Sequence, residues 1–261
     1  LMKNFFIWLV SSMVFMISYT GAVYSSIPVT VNTDPDVVKI GTLFNGTQIS
    51  VSGTIPEDSE VIVQLTGKRE DLELKQKGRI LGVLWMNLGS VTFRQVPTLY
   101  MLYYPEAVGK FARSNPVKWQ QLGIGLESLK EQIEITPDKG DKDKLGGEFL
   151  KLREGEELYA MREAPVIYGK NGNGMRSFAT EVFIPARVPS GTYQVKVLAV
   201  NNGNIAGAAT REIRVEKVGA TALLSSLSFN HGGLYGLLAV LIAIAAGLLM
   251  DFLFGENKGA H

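Results

Sequence analysis

Apolar and polar residues alternate with period two over much of the stretch from Val23 to Gly219. Ile49 and Val51 stand among Gln48, Ser50 and Ser52. Val61, Val63 and Leu65 share one face. Tyr193, Val195 and Val197 alternate with Gln194 and Lys196, and Ile213 and Val215 repeat the pattern. Successive side chains of a strand point to opposite faces, so each run predicts a strand with one buried face. Asn45-Gly46, Pro189-Ser190-Gly191 and Asn201-Asn202-Gly203 separate the runs and read as turns. Several short strands spaced in this way predict a β-sandwich.

One stretch breaks the alternation. Gly78 to Pro105, GRILGVLWMNLGSVTFRQVPTLYMLYYP, carries a single charge, Arg94, after Arg79. Its longest uncharged run, Ile80 to Phe93, is 14 residues long, whereas a helix needs about 20 to cross a bilayer. Gly82, Gly89 and Pro97 interrupt it further. It reads as a strand, a turn at Asn87-Leu88-Gly89, a second strand, and a third extended piece around Leu99 to Tyr103, most of it core. Trp85, Tyr100, Tyr103 and Tyr104 are more aromatic residues than a sandwich strand needs. They are either core with scattered surface tyrosines or a partner-facing patch, since aromatic residues are enriched at interfaces.

From about Glu106 to Glu163 the pattern turns helical. Asn115 before Pro116 marks a helix start with proline at the first position. Leu122, Leu126, Leu129 and Ile133 then follow helical spacing. Pro137 to Gly147 is a charged, glycine-containing loop, and Leu145, Phe149, Leu152 and Tyr159 suggest a second amphipathic helix. The charge run around it reads as a solvated face. The expected fold is mainly β: an immunoglobulin-like β-sandwich over residues 23–219 with a helical insertion at about 106–163. Gly191-Thr192-Tyr193-Gln194-Val195 supports this as a short match to the tyrosine corner of such domains.

Both ends are apolar. Lys3 precedes an apolar run from Phe5 to Ile17, and Thr20-Gly21-Ala22 offers small residues for cleavage. Residues 1–22 therefore read as a signal peptide, with an uncleaved anchor as the alternative; either would export the β-rich segment beyond it. After a linker at 220–233, Leu234 to Phe254 gives 21 residues with Asp251 as the one charge. That length reaches roughly 31 Å as a helix, about a bilayer core, and predicts one C-terminal transmembrane helix. Lys258 in the tail at 255–261 favours a cytoplasmic C-terminus. Ala239, Ala243, Gly247 and Asp251 recur at intervals of four, which marks a candidate membrane-helix packing face.

Composition narrows the chemistry. There is no cysteine, which excludes disulfides, thiolate zinc sites and iron–sulfur ligation. The only histidines are His231 and His261, so imidazole chemistry is nearly absent. Lysine plus arginine is 26 against 25 acidic residues, which supplies no basic field for nucleic acid. Gly169-Lys170-Asn171-Gly172-Asn173-Gly174 lacks the ending of a phosphate loop and reads as a hairpin or loop. Asn45-Gly46-Thr47 fits both a glycosylation sequon and a hairpin turn. The pair Glu156-Glu157 is too ordinary in a charged segment to argue acid–base catalysis. No catalytic residue, metal ligand or cofactor is expected.

Ordered motifs run through the chain: Phe44-Asn45-Gly46-Thr47 leading into Ile49 to Gly53, then Val61 to Gly67, Gly82 to Asn87, and Val96 to Tyr100. Ile184-Pro185-Ala186, Pro189 to Tyr193 and Leu234 to Leu237 come after them. In this order they resemble the uncharacterised bacterial family of putative transmembrane proteins first described from alphaproteobacteria. The charged segment from Asp138 to Lys144 departs from that pattern. The resemblance implies a signal peptide, an exported β-rich domain, a C-terminal anchor and a polytopic membrane partner, and it transfers no catalytic residue. Two functions remain open. One is a non-enzymatic accessory or structural subunit of a larger inner-membrane complex, such as a transporter or exporter. The other is a periplasmic binding or sensing module for a carbohydrate, an anion or a cell-wall component.

Overall fold

The computed structural model describes residues 29–80, 84–136, 141–219 and 226–254. The expected signal peptide and tail, and residues 220–225 of the linker, lie outside the described residues. The fold is mainly β, with three sheets, one of them a half-barrel, a few helices and one C-terminal apolar helix.

The first sheet has the order β1-β3-β11-β10, formed by Thr30–Asp34, Thr47–Pro56, Met175–Ile184 and Val166–Gly172. The second has the order β2-β13-β12-β4-β7-β9, formed by Val37–Ile40, Asn204–Lys217, Gly191–Asn201, Glu60–Thr66, Tyr100–Tyr104 and Tyr159–Glu163. Pro35, which has no N–H to donate, stands where the chain leaves the first sheet after β1 and joins the second as β2. Here β2 runs parallel to β13, and at the other edge β9 runs parallel to β7. The alternating residues form one shared core: Ile49, Val51, Val182 and Ile184 from the first sheet with Val61, Val63, Leu65, Val195, Val197 and Ile213 from the second. Tyr193 closes the corner at the start of β12, its hydroxyl donating to the Pro189 carbonyl at 2.6 Å.

The third sheet, β5-β6-β8, is formed by Arg69–Ile80, Leu84–Pro97 and Glu134–Thr136. The Asn87-Leu88-Gly89 turn expected from the sequence is a bulge inside β6. The register shifts there, the Asn87 side chain accepts from the Gly89 N–H at 3.1 Å, and Gly89 takes φ +135°. An Asn-x-Gly triplet can satisfy its own backbone, so it serves a bulge as readily as a reversal. The turn expected at Asn45-Gly46 joins β2 and β3, which belong to different sheets, and so is a crossover and not a hairpin. Asn173-Gly174 and Asn202-Gly203 do form two-residue hairpin loops with positive φ at both positions.

Between β7 and β9 come α1 (Glu106–Ser114), α2 (Pro116–Gln121), α3 (Leu126–Gln132) and α4 (Lys142–Gly155). Asn115 stands at the N-terminal boundary of α2 with Pro116 first, as the sequence predicts, and its side chain makes no capping bond. Asp141 caps α4 by accepting from the Lys144 N–H at 3.1 Å. Tyr159 does not extend that helix. Glu157 turns with φ +63°, and Tyr159 becomes the first residue of β9. The last helix, α5, spans Gly232–Phe254.

Candidate functional site

Helix α5 is apolar on every side and exposed along its described length. Its segment Gly232–Phe252 has a mean hydropathy of 2.4 over 21 residues and is, among the described residues, the one helix long and apolar enough to cross a membrane. A helix of this kind has no buried face to offer a soluble core. Ala239, Ala243, Gly247 and Asp251 all lie on it and all are exposed. Spacing by four places them on one face. His231 stands just before its first residue, exposed, with its N–H bonded to the Leu227 carbonyl.

The tyrosines proposed for a partner surface go elsewhere. Tyr100 and Tyr103 are each only 4% exposed. The Gly125 N–H donates to the Tyr100 hydroxyl at 2.9 Å, and Tyr103 donates to the Phe183 carbonyl at 2.7 Å. Tyr104 is half-buried and packs edge-on against Trp119 at 6.1 Å. These residues are core because β7 is covered on both sides, by the first sheet within and by the helices without. Trp85 lies on β6, opposite Arg79 of β5; its side chain is outside the described residues.

Burial pushes the Tyr103 hydroxyl up to about 12, against a smaller opposing effect of Arg162. An unfolded tyrosine ionises near 10, so the contribution is complete below pH about 10 and is lost as pH rises through about 12. Tyr103→Phe removes one hydrogen bond and is expected to destabilise by about 1 kcal/mol at neutral pH. At pH about 11 the native protein has itself lost about 1.4 kcal/mol at this residue, so the two proteins should unfold at nearly the same urea concentration. A gap that is constant from neutral to alkaline pH would contradict the assignment.

The outer face of the second sheet is divided. Ile62, Leu102, Leu198 and Val200 are buried beneath Val108 of α1 and Ile124. Further along the same strands the outward residues become Gln64, Thr66, Gln194 and Lys196. They line an open cleft of about 460 Å3 whose rim includes Lys68, Arg69 and Glu212. Reading the sequence strand by strand missed this cleft. Its signal was the change of outward residues from polar to apolar along β12, where the alternation of Gln194 and Lys196 gives way to the unbroken run Val197 to Val200. Among the described residues, no three of His, Cys, Asp or Glu are grouped so as to hold a metal ion.

Comparison with protein families gives one finding. A family model described as "Putative transmembrane protein (Alph_Pro_TM)" matches residues 28–256, most of the chain. Comparison with curated proteins gives no match.

Proposed function

Because the chain belongs to this putative transmembrane protein family, we propose that it is a non-enzymatic, single-pass inner-membrane protein. Its immunoglobulin-like domain faces the periplasm, its C-terminus faces the cytoplasm, and it serves as accessory subunit of a larger membrane complex. The two facing sheets, of order β1-β3-β11-β10 and β2-β13-β12-β4-β7-β9, with the Tyr193 corner, support the immunoglobulin-like reading. The observation that carries the function is α5, whose small-residue face with Asp251 has no partner in the described chain. Small residues let membrane helices approach closely, and an acid in such a helix faces protein more often than lipid. The expected partner is polytopic.

Pull-down of the full chain from native membranes in mild detergent, followed by mass spectrometry, tests this. The native chain should retain one stoichiometric membrane protein. Ala243→Leu with Gly247→Leu should reduce that recovery at least tenfold, since both side chains thicken the face that must pack. Equal recovery with the double variant would remove the helix from the interface. A second reading, a periplasmic module binding a carbohydrate, an anion or a cell-wall component, is favoured by the open cleft on the outer sheet face.

A further inference from the structure

The lining of the cleft on the second sheet is more basic than acidic. Lys68, Arg69 and Lys196 line it with one carboxylate, Glu212. Among the described residues none of the three cations lies in an ion pair. Lys196 stands opposite Gln64 of β4, and Gln194 stands between Thr66 and Glu212, so amides and a hydroxyl lie beside the charges.

Arg69 is held in place by neutral groups. Its guanidinium donates to the Gln95 carbonyl at 3.1 Å and to the Gln132 side-chain oxygen at 3.5 Å. Neither acceptor cancels the charge. Gln95 presents that carbonyl from a left-handed conformation, φ +52°, unusual for a residue other than glycine. Asp71 secures it, accepting from the Gln95 N–H at 2.9 Å. The register of β5 on β6 slips between Glu70 and Leu72, which leaves Asp71 free for this role. Bulges that re-aim a side chain, and strained residues held by their surroundings, gather at binding sites. An arginine ordered in advance loses little further freedom on binding, and its fork suits an oxyanion.

We propose that this cleft binds a small hydroxylated organic anion of the sugar-acid or sugar-phosphate class. Arg69 and Lys196 meet the charge, and Gln64, Thr66 and Gln194 meet the hydroxyls. A volume of about 460 Å3 falls within the range of ligand sites and exceeds what a bare oxyanion fills. The proposal rests on the second reading above, the binding module, and not on the accessory-subunit reading.

The test is calorimetric titration of the full chain in neutral detergent with glucuronate, glucose 6-phosphate, glucose and inorganic phosphate, at low salt. One or both anionic sugars should bind saturably, with glucose and bare phosphate at least tenfold weaker. Arg69→Gln and Lys196→Gln should each weaken binding at least tenfold, and Arg69→Lys should recover only part of it. Lys196 is exposed on its strand, so its variant keeps the test valid if Arg69→Gln does not fold. Absence of saturable binding by both anionic sugars, equal binding of glucose or phosphate, or unchanged affinity in Lys196→Gln would overturn the proposal. A thermal-shift screen separates the two failures. A saturable shift with a neutral saccharide or cell-wall fragment alone would leave the binding-module reading standing while this class falls.

Discussion

A chain carrying Leu241→Arg and Leu248→Arg, exported behind a cleavable leader in place of residues 1–22, is expected to move almost wholly from the membrane fraction to the soluble periplasmic fraction. Twelve residues between Leu234 and Phe254 are Leu, Ile, Val or Phe. At about 0.3–0.6 kcal/mol each they favour insertion by roughly 4–7 kcal/mol. Two arginines near the middle of the span oppose it by about 5–7 kcal/mol and remove about 1 kcal/mol of favourable leucine transfer. At the middle of these ranges the balance turns against insertion by about 1–2 kcal/mol. Leader replacement matters because the apolar run from Phe5 to Ile17 would hold the chain on the membrane if it were not cleaved. The β domain should keep its circular dichroism, because its core closes among β1 to β13 without any residue of α5. Carbonate-resistant membrane retention of the double variant would show that α5 is not the anchor.

The sequence carried the sheets and the anchor more clearly than it carried the cleft, for physical reasons. Strict alternation at Ile49, Val195 and Ile213 arises from one dry face and one wet face, and those residues do form the shared core. The apolar span is legible for a similar reason, because uniform hydrophobicity over 21 residues suits no soluble helix surface. Strands buried on both faces behaved differently. Tyr100, Met101, Leu102 and Tyr103 are all buried, so their aromatic excess reads equally as core or as interface until the covering helices are placed.

Parallel pairing of β2 with β13 and of β9 with β7 has no local signature. Those contacts join segments far apart in sequence, and short strands such as Val37–Ile40 are defined by the partner more than by their own residues. The arginine cleft is hidden in a different way. Arg69, Gln194 and Lys196 occupy ordinary polar positions of ordinary strands, and Lys68 lies in the short connection from β4 to β5. The pairing of β12 with β4 brings Gln194 and Lys196 together, and the bulge opposite Asp71 with the left-handed Gln95 holds Arg69 beside them. A one-residue slip in a strand pair cannot be read from residue types that suit either register.

Phe149→Ala is expected to lower unfolding stability by about 3–5 kcal/mol, the range for deleting a fully buried phenylalanine. Phe149 is 1% exposed. Its ring stacks on Phe93 of β6 at 4.4 Å and 19°, and meets Tyr159 of β9 edge-on at 5.9 Å. One side chain thus joins α4 to the second and third sheets. The helix depends on it more than most would. Gly146 and Gly147 lie inside α4, and each disfavours the helix by about 1 kcal/mol relative to alanine. Arg153 is the other tether, donating to the Thr98 carbonyl at 2.8 Å with its guanidinium over the Tyr159 ring. It cannot fill the space the phenyl ring leaves. Urea unfolding of the full chain in mild detergent measures the loss, and hydrogen exchange should place the earliest loss of protection at 142–155 before β12 and β13. Phe149→Leu, which keeps most of the volume, should cost clearly less. A loss under about 1 kcal/mol for the alanine variant would mean that the site collapses around the cavity, and that α4 is held mainly by Arg153.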